Sequence, residues 1–415
     1  MQMHIKKKGS EKSNLCSDHT LLEHKIERSI KILKWDFILA ELPPCSVLVG
    51  GYIRDLILGN LNDKPDIDIV VPKDALLVAK RIAQKFDGRF VILDQKRDVG
   101  RIVFDNFVID LATQLNNSIK ADLLSRDFSI NSISFSFEKN KIFDPSHGIK
   151  DISNSILRTY KSENLITDPL RMLRGFRFFS ELDFLIDEQF MNFVQANKEK
   201  LKLVAVERIQ YEFKKIIRGK QAVKTLLILD KLELFDWLES GGGFSNNLLE
   251  EINYLNFSND ELAKFRPIFF LVETFNELAI RKLKFSKSEI KETNVIRKWR
   301  DKLTQKSIET FNDYERFHLH KDLEKILPAF IFYLPDRFQI EWMNRWRNKE
   351  DKLFHPKNFV KGETLKKYIK IDDGPLLGDL IDYLSIEFAY GRLKDFDESI
   401  YKAKRWFQQN APKCD

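Results

Sequence analysis

The hydrophobic pattern changes character near Asp151, and that change limits the chain to a small mixed α/β region followed by a long helical one. Before it, short apolar runs alternate with turns. Val47 to Val49 predicts a strand broken by Gly50-Gly51, and Tyr52 to Leu58 a helix stopped by Gly59. Ile67 to Val71 predicts a second strand. Asp74 to Phe86 predicts a helix with Ala75, Val78, Ala79 and Ile82 on one face. Phe90 to Leu93, Arg101 to Phe104 and Phe107 to Leu111 predict further strands, the last two joined by a tight turn at Asp105-Asn106. Beyond Asp151, Leu, Ile, Phe and Trp recur at three- and four-residue spacing almost to the end. The 34 phenylalanines are therefore expected mostly as helix-packing core. Gly241-Gly242-Gly243 is the clearest linker and His355-Pro356 a weaker one.

At 415 residues the chain exceeds one ordinary core, so two to four domains are expected. With 43% hydrophobic and 32% charged residues it can build such cores, which excludes a mainly disordered or collagen-like chain. No apolar stretch approaches the ~18 residues of a membrane span, and Met1 to Ser17 lacks the apolar segment of a secretory signal. Cys16, Cys45 and Cys414 are scattered and odd in number, which argues for a reducing compartment and against a disulfide scaffold or zinc site. A cytoplasmic protein is expected. The net charge of +7 is modest, but Lys198 to Lys224 holds nine basic residues against three acidic ones. Such a segment could follow a phosphate backbone or simply be a solvated helix face.

The pattern with most chemistry is Gly50-Gly51-Tyr52-Ile53-Arg54-Asp55, then Gly59, then Asp66-Ile67-Asp68. Two glycines between a strand and a helix let a phosphate approach the first helical N–H groups, and Arg54 can add a charged fork. Asp66 and Asp68, one residue apart on a strand, point to the same face. Paired carboxylates beside phosphates suit Mg²⁺, which can activate a hydroxyl and stabilise leaving pyrophosphate. A polar strand end with a glycine turn is the plainer alternative.

In these residues the chain resembles the class II tRNA nucleotidyltransferases and bacterial poly(A) polymerases, whose head belongs to the polymerase-β-like nucleotidyltransferase superfamily. The likeness continues in order through Arg126-Asp127-Phe128-Ser129-Ile130-Asn131, similar to a motif associated with the nucleotide sugar. It continues through Phe143-Asp144-Pro145 and Gly148 to Arg158, which resembles the segment joining head to neck. Asp168-Pro169-Leu170-Arg171-Met172-Leu173-Arg174 resembles the base-selecting motif, and Glu207-Arg208-Ile209 with Glu212 the last neck motif. The resemblance implies an α/β nucleotidyltransferase head, a small mixed sheet with helices, followed by all-α neck, body and tail domains. The corresponding division is an N-terminal extension (1–35), head (36–148), neck (149–240), body (241–350) and tRNA-binding tail (351–415). It also implies nucleotide contacts from Gly50, Gly51, Arg54, Arg126, Asp127, Asn131, Asp168, Arg171 and Arg174. Asp66 and Asp68 would carry catalysis and the metal. Asp110, two residues beyond Val108, is either a third carboxylate of the superfamily type or a surface strand residue.

The base-selecting motif also has its own physical logic. Asp168-Pro169 predicts a cap followed by proline at the first helical position, so Asp168, Arg171 and Arg174 share one side. Cytosine and adenine each present an amino donor beside a ring-nitrogen acceptor, the complement of an Asp–Arg pair. Uracil and guanine present the reverse. A capped helix with a surface ion pair is the alternative. The family has Glu before this Asp where this chain has Thr167, which leaves open how Arg171 is braced.

The expected activity is template-independent addition of nucleotides to the tRNA 3′ end, with Lys214, Lys215, Arg218 and Lys220 holding RNA backbone. Relatives that build all of CCA have a longer, often basic loop between the first two motifs. Here only Leu111 to Ser125 separates Asp110 from Arg126, with Lys120 its one basic residue. The short segment implies CC addition from CTP, a separate A-adding enzyme finishing the product. Complete CCA addition using CTP and ATP, and poly(A) addition to general RNA, are the alternatives. A small-molecule nucleotidyltransferase would share the carboxylate pair without needing the basic neck, and a silent RNA-binding scaffold would not need the carboxylates.

Overall fold

The computed structural model describes residues 19–32, 34–61, 64–239, 256–357 and 359–410. The Gly241-Gly243 linker, Cys16 and Cys414 lie outside them. The chain divides into two compact units, Met1–Thr225 and Leu226–Asp415.

The first unit is built on a seven-stranded sheet: β1 (Val47–Val49), β2 (Asp66–Val71), β3 (Arg89–Asp94), β4 (Val99–Val103), β5 (Val108–Thr113), β6 (Ser134–Ser136) and β7 (Lys141–Phe143). Their order is β3-β4-β5-β2-β1-β6-β7. Only β2 and β5 run parallel; every other neighbouring pair is antiparallel. The expected strands are present, with ends shifted by one or two residues. The Asp105-Asn106 turn closes through Phe104 N–H donating to the Phe107 carbonyl at 3.0 Å. β6 and β7 were not expected: three residues each are too short to show an alternating pattern, and pairing of β6 with β1 and of β7 with β6 supplies what periodicity could not.

Helices complete this unit. α1 (His19–Ile32) presents Leu22, Ile26 and Ile30, all buried, to the head. α2 (Gly51–Leu58) follows the glycine turn and ends at Gly59 in the left-handed region. α3 (Ala75–Lys85) buries the expected Ala75, Val78, Ala79 and Ile82 face. α4 (Ile119–Leu124), capped by Ser118, lies in the short segment between the first two motifs. α5 (Gly148–Ser153) is anchored by Asp144, which accepts from the N–H groups of Gly148 and Ile149 at 2.8 and 2.9 Å. α6 (Ser162–Thr167) leads into α7 (Leu170–Leu182). α7 packs on α9 (Val206–Ile216) and on α8 (Glu188–Asn197), whose Phe190 ring meets Gly175 so closely that an added Cβ would stand 2.3 Å from it.

The second unit is helical from Asn259 to Asn410 among the described residues. Phe265, Phe269, Phe270, Phe275 and Trp299 are fully buried there, as expected of phenylalanine used for packing. A separate apolar cluster, including Leu365, Leu380 and Leu384, closes the C-terminal helices.

Candidate active site

The residues singled out in the sequence converge on one cleft of the first unit, with a volume of about 1000 Å³. Gly50 occupies its floor with φ +78°. A Cβ there would lie 3.0 Å from an Arg126 guanidinium nitrogen and 3.1 Å from an Asp68 carboxylate oxygen. Glycine thus permits both the turn and the approach of these two side chains to the start of α2, whose first N–H groups have no intrahelical partner. Arg54 does not extend freely into this space. Its Nε and Nη2 donate to its neighbour Asp55 at 2.8 and 2.9 Å, and Nη1 donates to Asn131 Oδ1 at 2.7 Å.

Strand register lines up the acidic residues. Asp68 lies opposite Asp110 across the parallel β2–β5 pair, and Asp110 lies opposite Arg101 across β5–β4. Arg101 donates from Nε and Nη2 to the two Asp110 oxygens, each at 2.8 Å. Asp110 therefore stands in the acidic row but is clamped, a partner that sequence reasoning missed. Burial, with the charges of Asp110 and Asp66 adding to it, pushes the Asp68 carboxyl up to about 6 against the pull of Arg126 and Arg174. Among the described residues, no group of three or more His, Cys, Asp or Glu side chains is arranged to hold a metal ion. Two oxygen-donor side chains beside a phosphate cradle nevertheless fit Mg²⁺, which is typically held by one or two carboxylates together with substrate phosphates.

The second motif and α7 interlock. Asp127 is buried, accepting from Asn131 Nδ2 at 3.0 Å and from Arg174 Nε at 2.7 Å. Burial alone would raise its carboxyl, but Arg174, Asn131 and Arg171 outweigh burial and hold it well below the usual range. Arg126 is steadied by Asp122 of α4, four residues earlier, at 3.2 Å. Phe178, buried on α7, stands between three guanidiniums, with Arg177, Arg54 and Arg174 at 4.3, 4.9 and 5.7 Å from its ring centroid.

Asp168 and Arg171 both line the cleft. The helix starts one residue later than expected, with Pro169 at its cap, and Asp168 Oδ1 accepts from Leu170 N–H at 3.3 Å. Asp168 Oδ2 also accepts from Arg208 of α9 at 2.7 Å. Arg171 is braced without a glutamate at position 167: its Nη1 donates to the carbonyls of Ser125 and Asn164, both at 2.8 Å. The Asn164 amide in turn donates to the carbonyls of Leu124 and Arg126, also at 2.8 Å. Asn164, Arg101 and Phe178 were not anticipated; none belongs to a short motif, and Asn164 and Phe178 each meet a partner distant in sequence, Leu124 and Arg54. Of the four basic residues expected at RNA, Lys215 and Lys220 line the cleft, whereas Lys214 and Arg218 do not.

Residues 101–158 match the family described as the poly(A) polymerase head domain, and residues 183–239 that described as the probable RNA and SrmB-binding site of polymerase A. In these segments the chain is similar to the tRNA nucleotidyltransferases and poly(A) polymerases. It is 28% identical over 397 residues to the CC-adding tRNA nucleotidyltransferase of Synechocystis sp., covering 89% of this chain and 95% of that one. It is 26% identical over 388 residues to the CCA-adding enzyme of Ligilactobacillus salivarius, covering 87% and 92%. The fold resembles that of the Thermotoga maritima CCA-adding enzyme solved with tRNA, with TM-score 0.70 and 21% identity over 95% of this chain and 98% of that one. The chain has the expected mixed-sheet head followed by helical regions. No helix among the described residues is long and apolar enough to cross a membrane.

Proposed function

We propose that this chain extends the 3′ end of tRNA without a template, taking CTP and releasing pyrophosphate. The observation that carries this reading is the shared cleft. It is lined both by a carboxylate pair beside a phosphate cradle and by an Asp–Arg pair able to read a base. No nucleic-acid template is needed when protein side chains present the complementary donors and acceptors.

In this reading Gly50, Gly51 and the first N–H groups of α2 receive the triphosphate, with Arg126 adding charge from the opposite side. Asp66 and Asp68 would hold Mg²⁺. When bound, that ion supplies charge neutralisation for the attacking hydroxyl and the leaving pyrophosphate. Asn131 and Asp127 fix the nucleotide's sugar against Arg54 and Arg174. Asp168 accepts from the exocyclic amine of the base, and Arg171 donates to its ring nitrogen. Positioning the 3′ hydroxyl against the α-phosphate is the main work left to the protein.

CC addition is favoured over complete CCA addition by the shortness of the segment from Leu111 to Ser125. Its α4 turn also leaves few residues free to reach the base reader, and the carbonyl of Ser125 is already engaged by Arg171. The decisive experiment incubates the purified chain with tRNA lacking CCA and with labelled CTP or ATP. Two cytidines should be added and then no adenosine. Efficient A addition to tRNA ending in CC would overturn CC specificity, and failure to incorporate either nucleotide would overturn the reading as a whole.

A further inference from the structure

A cleft of about 1000 Å³ is at the upper end of the range of about 300–1,000 Å³ that serves one small ligand. Gly50, Asp68, Arg126, Asp168 and Arg171 account for one region of it. The same cleft is also lined by Tyr211, Lys215 and Lys220, which the nucleotide-binding reading leaves unused. Tyr211 is 56% exposed, with the Lys215 ammonium 4.5 Å from its ring centroid. Among the described residues, no carboxylate lies within ion-pair distance of Lys215 or Lys220, whereas the arginines near them are paired with acids or backbone carbonyls.

Helical spacing relates this ring to the base reader. Arg208, Tyr211 and Lys215 fall on one face of α9 at i, i+3 and i+7. Arg208 is the residue that holds Asp168, so the Tyr211 ring stands about one helical turn from the side chain gripping the base-reading carboxylate. A flat group lying on that ring would be the neighbour of the incoming base. The charges beside it suit phosphates, and an aromatic platform accepts any base. That tolerance suits an end whose last residue changes as addition proceeds.

We propose that Tyr211 is a stacking platform for the 3′-terminal base of the RNA being extended, with Lys215 and Lys220 taking the adjoining phosphates. This rests on the reading of the chain as an enzyme that extends an RNA 3′ end, and it adds to that reading the place where the acceptor end lies.

The test uses the full chain and an acceptor-stem RNA whose 3′-terminal base is 2-aminopurine. Binding to the wild-type protein should quench the probe by stacking. Tyr211→Ala should abolish the quenching and weaken RNA binding by about fivefold or more, with CTP affinity unchanged. Tyr211→Phe, which keeps the ring, should preserve both. Unchanged quenching and affinity in Tyr211→Ala would overturn the platform. So would an equal loss of CTP binding, which would mean the cleft had collapsed. Nucleotide incorporation without quenching in the wild type overturns the platform alone, while absence of both overturns the function on which it rests.

Discussion

Burial, joined by the like charges of Asp110 and Asp66, moves the Asp68 carboxyl to about 6. Between an unfolded value near 3.8 and that value, the folded protein binds a proton that the unfolded chain does not. Metal-free stability from this group is therefore lost as pH rises through about 4–6. Asp68→Asn should raise the melting temperature of the metal-free protein at pH 7.5, by the equivalent of up to about 3 kcal/mol, and by about half as much at pH 5. Mg²⁺ should stabilise the wild type at pH 7.5 and not the variant. A calorimetric series with and without Mg²⁺ checks both. Arg171→Ala should lose about 1.5–3 kcal/mol of CTP recognition together with its preference over UTP, measured as kcat/KM for each nucleotide. The glycine pair, both aspartates and the Asp–Arg motif were legible because each is local. The Arg101–Asp110 clamp was not: the two lie nine residues apart, and one step of slip in the β4–β5 register would put Arg101 on the other face.

α1 shows how an element outside every motif serves the site. Glu23 is buried and accepts from the Ile142 N–H at 3.0 Å and from Lys141 Nζ at 2.9 Å, tying α1 to β7. Lys25 donates to the Leu56 carbonyl at 2.9 Å, and Ser29 accepts from the Tyr52 hydroxyl at 3.0 Å, so the same helix holds α2 at two points. Leu22, Ile26 and Ile30 recur every four residues, which is visible in the sequence. Their partners are not, because α2 and β7 are far along the chain. Glu23→Ala should cost about 1–3 kcal/mol, since it leaves the Ile142 N–H without its acceptor. Urea denaturation would measure this as a lower midpoint at unchanged m-value. Conversely, β6 and β7 are too short to show in the sequence, and each is fixed by its neighbour in the sheet, β6 by β1 and β7 by β6.

Across the whole molecule, the two units differ in what acid does to them. In the second, His320 is buried with its ring centroid 3.9 Å from that of Phe354 and 4.7 Å from that of Trp342. Burial pushes its pKa down to about 3, with the Arg345 charge acting the same way. The unfolded chain binds this proton below about 6.5 and the folded one does not, so stability falls as pH drops from 6.5 towards 3. At pH 5 the cost is about 2 kcal/mol. His320→Phe should flatten this dependence between pH 6.5 and 4.5, as followed by thermal melts. A sharper acid transition in the variant would contradict it. The order of motifs made the first unit's organisation readable, whereas the helical unit offered periodicity without any residue whose chemistry pointed to its neighbours.

The row formed by Asp66, Asp68, Asp110 and Arg101 sets three carboxylates against one guanidinium. Above pH 6 such a surface repels the highly negative tail of a nucleoside triphosphate, and a divalent cation reverses that repulsion. The two ligands are then heterotropic partners. Thermodynamic reciprocity requires that whatever factor the cation adds to CTP affinity, CTP adds to cation affinity. The clamp on Asp110 tunes this partnership, because each negative charge it cancels weakens the bare site's hold on the cation while lowering the barrier to the triphosphate. Cation and nucleotide titrations run in both orders would close this cycle and give the coupling as a single number.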